Sequence, residues 1–569
     1  MFRQRYLDYA ELCDQLAAWS RQFPDIARVT SIGRSGQGRD IPLLTIGREP
    51  DEARPAVWID GNMHASELCG SSVALAIADD IVSIHQGANE AGGKAFPAHM
   101  AAAIREALFY VVPRMSPDGA EEVLKSGRYV RSSPANDRSN KDHAHWETAD
   151  IDGDGIAGYM RRVDPDGELV ELRDANGQPL DPPVMGPRMP EDSGPYFKLY
   201  PEGRIVNFDG RNIPSPFFLS DNLYDFNRNF PYAWAPEHQQ DGAGHYPGSA
   251  PETRAILDFT INHPNIFAWL NLHTFGGVLI RPLGDKPDSK MDQADLAIFE
   301  QVEAWMTEHT GYATVSGFHE FLYEPEKPLH GDLTDYAYHQ RGALAYVVEL
   351  WDLFRQLGIE RKKPFVDHYF KFARKDILSL AEFDRAQNQG RVFGRWKKVV
   401  HPQLGEVEVN GFDPRVGVWN PPYERLAETC CAQSAAFLRV ASLLPRVSIE
   451  VVSRAKTGGH TRIDLRIANR GYLGTFGLPS ARKLPHAEPL RLTASGDGVK
   501  LVAPAESIVE IGHLDGWGTG LHGPSIFMPW TRGNGHERFV TLMAEGSGTL
   551  RVRLGSCRVG YRTLDVAVG

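Results

Sequence analysis

Two residues with the chemistry of metal ligands follow a short apolar run near the start of the sequence. Residues 56–59 form an apolar run typical of a buried strand, 60–62 are a turn signal, and His64 and Glu67 follow, three residues apart. An imidazole and a carboxylate at this spacing can provide two of the three protein ligands of a Zn²⁺ ion, which leaves one position for water. Alone the pair is a weak motif, because a chain with 20 histidines can produce an ordinary capped turn with this spacing.

The pair is expected where a strand passes into a helix, since residues 71–85 are apolar at helical spacing. Ligands of open α/β sheets gather at the carboxyl ends of the strands. Two later apolar runs also carry polar residues: 267–272 leads into His273, and 344–350 contains Glu349. A carboxylate inside such an apolar strand must be paired or functional.

Strands and helices alternate over most of the chain, which predicts an α/β fold with a doubly wound sheet and helices on both faces. Predicted helices cover 9–23, 250–262, 292–310, 332–341, 364–388 and 423–444. Beyond Pro445, short strand candidates separated by Gly, Pro and Asn predict an all-β sandwich. A chain of 569 residues is too long for one core, so we expect a first domain at 1–445 and a β-sandwich domain at 446–569.

The segment 132–220 is rich in Asp, Gly, Pro and Asn and shows little apolar periodicity. It is predicted to be a long loop that is functional or tied down. Within it Asp150, Asp152 and Asp154 match the first half of a calcium-binding loop, but Arg161 stands where the last carboxylate belongs. That carboxylate would have to come from a nearby acidic residue, Asp164, Asp166 or Glu168. Both a calcium site and a solvated acidic turn stay open as interpretations.

The composition limits the partners and the compartment. A net charge of −12 argues against nucleic acid or an anionic membrane as the main partner. The stretch 1–8 lacks the apolar core of a signal peptide, and no run is long enough to span a bilayer. Five cysteines, with Cys430 and Cys431 adjacent, do not form the pattern of a disulfide framework. We therefore expect a cytoplasmic protein, or a secreted one if a leader has been removed.

Several separated motifs together resemble the M14 family of zinc carboxypeptidases, of the carboxypeptidase A type, between roughly Tyr6 and Glu382. They occur in the family's order: His64-x-x-Glu67, Ser116-Pro-Asp-Gly119, Arg128-Tyr-Val-Arg131, Asp225-Phe-Asn227-Arg228, His273 and Glu349. The resemblance implies a mixed doubly wound sheet and one Zn²⁺ per chain. It also implies hydrolysis of the C-terminal peptide bond of peptides that carry a free C-terminal carboxylate.

The resemblance gives roles to the residues nearest the chemistry. His64, Glu67 and His273 match the three zinc ligands, and zinc with three protein ligands lowers the pKa of a water to about 7. Glu349 matches the general base, which takes the proton of that water and passes it to the leaving amine. Arg131 matches the cation that stabilises the developing oxyanion.

Other matching positions bind substrate or support a ligand. Arg228, a two-pronged donor, and Asn227, a neutral one, match the pair that grips a terminal carboxylate. Asp225 would hold the back nitrogen of His64. The family's substrate-capping tyrosine should lie about twenty residues before the base. Direct counting reaches Lys327, so Tyr323 is the candidate if the loop carries a small insertion.

The resemblance also places Thr334, fifteen residues before the base, on the floor of the pocket for the substrate's last side chain. A charged side chain needs a buried partner of opposite charge, which Thr334 does not supply, so neutral residues should be released fastest. Asp332 would favour lysine or arginine if its carboxylate turned into this pocket. We expect it instead to cap the helix that starts nearby. Ser116 and Phe275 depart from the family's usual Asn and Tyr.

Three functions are compatible with these residues. The first is a metallocarboxypeptidase, and the second is a zinc amidase or deacylase of the same fold that acts on a non-peptide amide or an ester. The third is a binding protein that keeps the fold without catalysis. Glu349 and the three ligands argue against the third, and Arg228 favours the first over the second because a free carboxylate would use it.

Overall fold

A computed structural model of the chain describes residues 1–135, 142–174, 176–216, 224–324, 327–506, 508–520 and 533–569. The helices are α1 Tyr9–Gln22, α2 Cys69–His85, α3 Ala98–Glu106, α4 Pro117–Ser126, α5 Pro251–Asn262, α6 Gln293–Thr310, α7 Gly317–Glu320, α8 Leu333–His339, α9 Leu353–Gln356, α10 Asp367–Phe370, α11 Arg374–Gln387 and α12 Tyr423–Ala441. A short 3₁₀ turn covers Phe226–Arg228.

The strands of the first 445 residues are β1 Ala27–Arg34, β2 Asp40–Ile46, β3 Ala56–Gly61, β4 Glu90–Ala91, β5 Lys94–Ala95, β6 Leu108–Val112, β7 His145–Thr148, β8 Tyr159–Val163, β9 Leu169–Glu171, β10 Met185–Pro187, β11 Phe197–Pro201, β12 Gly203–Val206, β13 Ile266–Thr274, β14 Val278–Arg281, β15 Ala313–Ser316, β16 Leu344–Leu350, β17 Lys397–His401 and β18 Gly405–Val409. The later strands are β19 Val447–Thr457, β20 His460–Asn469, β21 Leu490–Ser495, β22 Val499–Ala503, β23 Ile508–Gly512, β24 Glu537–Gly546, β25 Gly548–Ser556 and β26 Gly560–Val568.

The main sheet has the strand order β1-β2-β6-β3-β13-β16-β14-β15. Its centre is parallel, because β3 pairs with β6 and β13 in parallel and β13 pairs with β16 in parallel. The pairs β1–β2, β2–β6 and β14–β16 are antiparallel. The sheet is therefore mixed, as predicted. Since β3, β13 and β16 are adjacent and parallel, their carboxyl ends meet at one edge.

Helices cover both faces of this sheet, and neighbouring residues of β3 show why. Val57 and Ile59 belong to an apolar cluster with residues of α2, α6 and α12. Trp58 lies in a second cluster with Ile256 of α5 and Tyr336 of α8. Successive side chains of a strand point to opposite faces, so an apolar run without alternation needs cover on both sides. The prediction of helices on both faces is confirmed.

The segment 132–220, predicted to be a long loop that is functional or tied down, is tied down as short strands where the structure describes it. Its described residues form β7–β12, and β8 pairs with β18 from far along the chain. Met160, Tyr200 and Val407 are buried together there. The strands have three to five residues, which is too short for an apolar period to stand out between Asp and Gly turns. The end of the predicted segment, 217–220, lies outside the described residues.

The single helix predicted at 364–388 is wrong. The chain forms α10, leaves helical geometry at Lys371, and starts α11 at Arg374. Asp376 accepts a hydrogen bond from the backbone N–H of Ala373 (2.9 Å), which begins the new helix. Tyr369 and Phe372 pack, as Phe275 does, against the apolar cluster that contains Phe321 and Phe365, and this packing favours the break over a continuous helix.

After α12 the chain contains only strands and one 3₁₀ turn among the described residues. Two four-stranded antiparallel sheets, β19-β20-β24-β22 and β23-β21-β25-β26, form the all-β sandwich that the sequence predicts. The transition from mixed helices and strands to strands alone falls between Ala441 and Val447, close to the predicted domain boundary at 445. One apolar cluster contains residues from both sides of it, such as Phe267 and Leu478. Two domains at 1–445 and 446–569 therefore stay a prediction.

Among the described residues, no helix is long and apolar enough to cross a membrane.

Candidate metal and catalytic site

The turn after β3 brings His64 and Glu67 to the edge of the main sheet. Asn62 has a positive φ of 56°, and its Nδ2 donates to the backbone oxygens of His64 (2.8 Å) and Ala65 (3.1 Å). A Cβ on Gly61 would lie 2.5 Å from the backbone of Gly70 in α2, so only glycine fits there. The turn signal in the sequence thus corresponds to a turn held by side-chain hydrogen bonds.

Three ligand atoms converge at this point. Nδ1 of His64 lies 2.7 Å from Oε1 of Glu67 and 3.1 Å from Nδ1 of His273. Nδ1 of His273 lies 3.0 Å from Oε2 of Glu67. All three residues are buried. These separations of 2.7 to 3.1 Å are somewhat shorter than the spacing of about 3.4 Å between ligand atoms of tetrahedral zinc with Zn–N bonds of about 2.1 Å.

The far nitrogen of each imidazole donates to an oxygen. His64 Nε2 lies 3.0 Å from Oδ1 of Asp225, and His273 Nε2 lies 2.6 Å from Oδ1 of Asn271. Since these Nε2 atoms carry the hydrogens, both Nδ1 atoms offer lone pairs toward each other and toward Glu67. Two lone pairs and a carboxylate that face one another fit a shared cation, so the donor set fits zinc.

A chain of buried groups fixes His273 from behind. Asn271 donates through Nδ2 to Asp60, which also accepts from Nε1 of Trp58 (2.7 Å) and Nε1 of Trp269 (2.8 Å). Burial raises the pKa of Asp60 to about 6 against the effect of these three donors. Asp225 was predicted behind His64, whereas Asn271 was not predicted behind His273. A residue two positions from His273 in a strand lies on the same face, which is the signal that could have found it.

Arg131 lies among the carboxylates of the site. Its Nε donates to Oδ2 of Asp225 (3.0 Å), and its Nη1 is 3.6 Å from Oε1 of Glu67. Burial disfavours its charge, but Asp225 and Glu67 raise the pKa of Arg131 above its ordinary value. In return Arg131 and His64 hold the pKa of Asp225 well below its usual range in spite of burial. Arg131 is therefore a fixed cation beside the proposed metal ligands.

Glu349 reaches the same site from β16. Its Cα is the register partner of His273 across the parallel pair β13–β16. Oε2 of Glu349 is buried and receives no hydrogen bond from the residues that the structure describes. Burial and the nearby charge of Glu67 raise the pKa of Glu349 well above its ordinary value, and Arg131 opposes them. A carboxyl in this position can accept or donate a proton next to the metal ligands.

One cavity of about 340 Å³ joins these groups. Its wall includes the three ligands and most of the other predicted site residues, Arg131, Asn227, Arg228, Tyr323, Thr334 and Glu349. Asp225 supports the wall from behind through His64 and Arg131. The structure therefore brings together residues that are up to 285 positions apart in the chain, from His64 to Glu349.

Arg228 and Asn227 lie on the 3₁₀ turn at Phe226–Arg228. Nη1 of Arg228 donates to the backbone oxygen of Asn227 (2.6 Å), and Oδ1 of Asn227 accepts from the N–H of Leu333 (2.9 Å). Within the described part of the chain, no carboxylate forms an ion pair with Arg228. An unpaired guanidinium at a cavity wall is suited to bind an anionic group.

The residues predicted for the substrate's last residue also line the cavity. Tyr323 is part of the wall, whereas Lys327 forms an ion pair with Glu324 (2.9 Å), so the geometry favours Tyr323 as the capping candidate. Thr334 donates through Oγ1 to Oδ1 of Asp332 (2.7 Å). Asp332 caps α8 through the N–H of Asp335, as expected, and it lines the cavity as well.

Several aromatic residues of the cavity wall were not predicted. Tyr369 donates to the backbone oxygen of Phe275, and their rings pack edge to face at 5.5 Å. Tyr129, which also lines the cavity, packs against Trp419 at 5.3 Å. Tyr129 lies two residues from Arg131, but nothing in the sequence connects Tyr369 or Trp419 with the site, because only the fold brings them there.

The acidic turn at 150–155 lies in the folded insert. Asp150 and Asp152 have carboxylate oxygens within 4.8 Å of Glu202, and not of the acidic residues at 164–168 that the sequence suggested. Lys397 lies 2.8 Å from Oδ2 of Asp152, and Asn410 donates to Asp152 (3.1 Å) and Asp154 (2.7 Å). Strands flank this turn, whereas helices flank the calcium loop of an EF-hand. Calcium binding by these residues stays a prediction.

Two protein-family models match the chain, one in its first part and one in its last part. A family model described as zinc carboxypeptidase (Peptidase M14) matches residues 12–158 and 221–375, together more than half of the chain. The residues between the two matched parts belong to the insert. A second model, described as a domain of unknown function (DUF8731), matches 446–567.

Individual relatives match over shorter regions. Carboxypeptidase B of Astacus astacus is 25% identical over 186 residues, which cover 31% of this chain and 57% of the relative. The catalytic chain of carboxypeptidase N of Homo sapiens is 28% identical over 126 residues, 22% of this chain and 26% of the relative. A protein of Blastomyces gilchristii named inactive metallocarboxypeptidase ECM14 is 29% identical over 133 residues, 22% of this chain and 21% of the relative.

Solved structures resemble the chain more broadly but with low similarity. Thrombin activatable fibrinolysis inhibitor has a TM-score of 0.44 and 17% identity, over 78% of this chain and 77% of that chain. A metallo-carboxypeptidase from Burkholderia cenocepacia has a TM-score of 0.35 and 16% identity, over 76% of this chain and 69% of that chain. On the match to the family model over more than half of its residues, the chain belongs to the M14 family of zinc carboxypeptidases.

Proposed function

We propose that the chain is a zinc-dependent metallocarboxypeptidase that hydrolyses the last peptide bond of peptides with a free C-terminal carboxylate. The observation that carries this proposal is the convergence of three ligand atoms, the carboxyl of Glu349 and the guanidinium of Arg228 on one cavity. Each residue alone has an ordinary explanation, such as a core histidine or a surface ion pair. Those explanations do not account for their arrangement around a single space.

His64, Glu67 and His273 would hold the zinc ion, and Asp225 and Asn271 keep the two imidazoles oriented toward it. Zinc bound there would supply a Lewis acid that polarises a carbonyl and lowers the pKa of a water to about 7. Because both orienting groups accept from Nε2, each ring keeps the tautomer with a free Nδ1 lone pair.

Glu349 is the proposed general base and then general acid. It accepts a proton from the attacking water while the water oxygen bonds to the carbonyl carbon of the last peptide bond. It then delivers that proton to the amine nitrogen as the carbon–nitrogen bond breaks. The register of β16 with β13 supports this role, because it places Glu349 beside His273.

Two arginines would bind the charges of the substrate. Arg131, held by Asp225, provides a fixed positive charge where negative charge develops on the carbonyl oxygen. Arg228 and Asn227 are proposed to bind the terminal carboxylate, which places the last peptide bond beside Glu349. Tyr323 is the proposed cap over the bound residue, and Thr334 the floor of its pocket.

The experiment is metal analysis combined with hydrolysis of N-blocked dipeptides that have either a free or an amidated C-terminus. We expect one zinc in the triad His64, Glu67 and His273, and cleavage that depends on the free carboxylate. Equal cleavage of amidated substrates would replace this proposal with a zinc amidase or deacylase. Zinc binding without hydrolysis of any substrate would support a non-catalytic protein, as the name of the Blastomyces relative describes.

A further inference from the structure

A second group of metal-ligand atoms lies behind the cavity wall, between helix α8 and the segment after β14. Asp285, Asp335 and His339 each present one such atom, and the three atoms lie within 4.8 Å of one another. Asp335 and His339 are four positions apart on α8, so they lie on one face of that helix. Asp285 faces them from the segment that follows Gly284.

The three residues have buried polar atoms without a partner. Oδ1 of Asp285, Oδ1 of Asp335 and Nε2 of His339 receive or donate no hydrogen bond within the described ranges of the chain. Asp335 is only 2% exposed, and its other oxygen accepts from the N–H of Gly284 (3.1 Å). A buried polar group without a hydrogen-bond partner is destabilising. All three residues of the cluster carry such a group, and a shared positive charge would satisfy them.

The charged groups around the cluster are mostly negative. Asp332, whose Oδ1 accepts from the N–H of Asp335 (2.9 Å), adds a third carboxyl beside those of Asp285 and Asp335. Lys286 is the nearby cation, with Nζ 3.2 Å from Oδ2 of Asp285. Its ammonium also donates to the hydroxyl of Tyr232 (2.7 Å). One ammonium does not balance three carboxylates.

His339 adds a nitrogen to the carboxyl oxygens of Asp285 and Asp335. A proton between Asp332 and Asp335 would satisfy two carboxyls but would leave Nε2 of His339 without a partner. A neutral imidazole has a lone pair on one ring nitrogen, and Nε2 of His339 has no hydrogen-bond partner among the described residues. Its ring stacks on Tyr232 with centroids 3.9 Å apart, which fixes the direction of that lone pair.

We propose that Asp285, Asp335 and His339 bind a second divalent transition-metal ion, of the class of Zn²⁺ or Mn²⁺. Two carboxylates and one imidazole suit such ions, whereas Ca²⁺ and Mg²⁺ prefer ligand sets made only of oxygen. The ion would join the segment at Gly284 to α8, and both contribute to the cavity wall through Gly284, Asp332 and Thr334. Its role is structural, and it does not depend on the proposed hydrolysis.

The test is a count of bound metal in the full chain. The protein is stripped with a chelator, dialysed against Zn²⁺ or against Mn²⁺, passed over a desalting column and analysed for metal. We expect two zinc ions per wild-type chain and one in the variant His64→Gln/His273→Gln, which lacks two ligands of the first site. His339→Gln and Asp335→Asn should each bind one. Zinc should raise the melting temperature of the double variant but not after His339→Gln is added.

His263→Gln is the matched control, because His263 is also partly buried and stacks on Phe259 at 3.8 Å, away from any candidate metal group in the described chain. It should bind two zinc ions. One zinc in the wild type and none in His64→Gln/His273→Gln would overturn the proposal, and this result does not depend on whether variants of the cluster fold. Unchanged zinc content in both His339→Gln and Asp335→Asn would overturn it as well.

Discussion

His273 and Glu349 are register partners on adjacent parallel strands, β13 and β16. Neighbouring strands lie about 4.8 Å apart, and paired residues of parallel strands point to the same face. A candidate metal ligand and the proposed base therefore leave the sheet side by side. A slip of one residue in this register would turn Glu349 to the opposite face, so the strand pairing itself sets the geometry of the site.

Asn271→Ala tests whether the hydrogen bond from His273 to Asn271 increases the affinity of the site for zinc. The change removes the acceptor of His273 Nε2, so zinc affinity should fall about 10–100-fold, the usual effect of losing such an orienting contact. Competition with a chromophoric chelator measures it. His273→Gln should lose binding at this site altogether, and Asn262→Ala, an exposed asparagine of α5, should have no effect. Equal affinities for wild type and Asn271→Ala would refute the role of Asn271.

Glu349→Gln should keep the fold and the zinc and lower kcat by several orders of magnitude. A general base contributes about 10²–10⁴-fold, and the amide cannot take the proton of water. Stopped-flow or steady-state kinetics of the hydrolysis of a blocked dipeptide measures kcat, and the zinc content is measured on the same sample. Glu382→Gln, an exposed glutamate of α11, serves as control. Near-normal turnover in Glu349→Gln would mean that another residue is the base.

The strands that carry or precede the proposed ligands and the proposed base could be predicted from the sequence. The strands β3, β13 and β16 are apolar runs, because they are buried on both faces, and His64, His273 and Glu349 stand at their ends or inside them. Tyr369 and Trp419 could not be placed, since their approach depends on packing between segments far apart in the chain. Asp285 was missed for the same reason: its partners on α8 are 50 and 54 positions away.

The folded insert shows a different limit of sequence reasoning. Its strands are short and their partners distant, as in the pairing of Met160 with Val409. Local patterns of apolar residues are informative only over windows longer than these strands. Glu202 illustrates the result, because it is fully buried beside the acidic turn, yet nothing near it in the sequence connects it with Asp150.

Arg228→Ala should mainly raise KM for substrates with a free C-terminal carboxylate, by about 10²-fold if a charge-assisted contact of about 3 kcal/mol is lost. Amidated substrates should be poor for wild type and change little in the variant. Steady-state kinetics with paired free and amidated peptides measures both. Arg254→Ala, an exposed arginine of α5, is the control. A similar loss on both kinds of substrate would argue against a carboxylate contact.

Glu252→Gln should make the melting temperature less dependent on pH. Glu252 is 1% exposed, and burial raises its pKa to about 7 although its Oε1 accepts from Gly36 N–H (3.1 Å). The native state then binds more protons than the unfolded state between about pH 4.5 and 7, so wild-type stability falls as the pH rises through this range.

The rise in the pKa of Glu252 corresponds to a change of about 3 kcal/mol at most in the free energy of unfolding. The melting temperature of Glu252→Gln minus that of wild type should therefore increase from pH 5 to pH 8, as measured by calorimetry. Glu382→Gln, which is exposed, should show a constant difference. A constant difference for Glu252→Gln as well would show that Glu252 keeps its ordinary pKa in the folded chain.

The last prediction concerns the residue that is released. Thr334 carries no charge, and Oδ1 of Asp332 is already engaged by Thr334 Oγ1 (2.7 Å) and by the N–H of Asp335 (2.9 Å). With Asp332 held in its capping position, a lysine or arginine side chain would lose its hydration beside an uncharged Thr334, so kcat/KM should be higher for C-terminal Phe or Leu than for Lys or Arg. Asp332→Asn keeps an acceptor for the cap and removes the charge. It should leave the rates for Phe and Leu nearly unchanged. Faster release of Lys or Arg by the wild type, lost in Asp332→Asn, would instead assign the pocket to basic residues through Asp332.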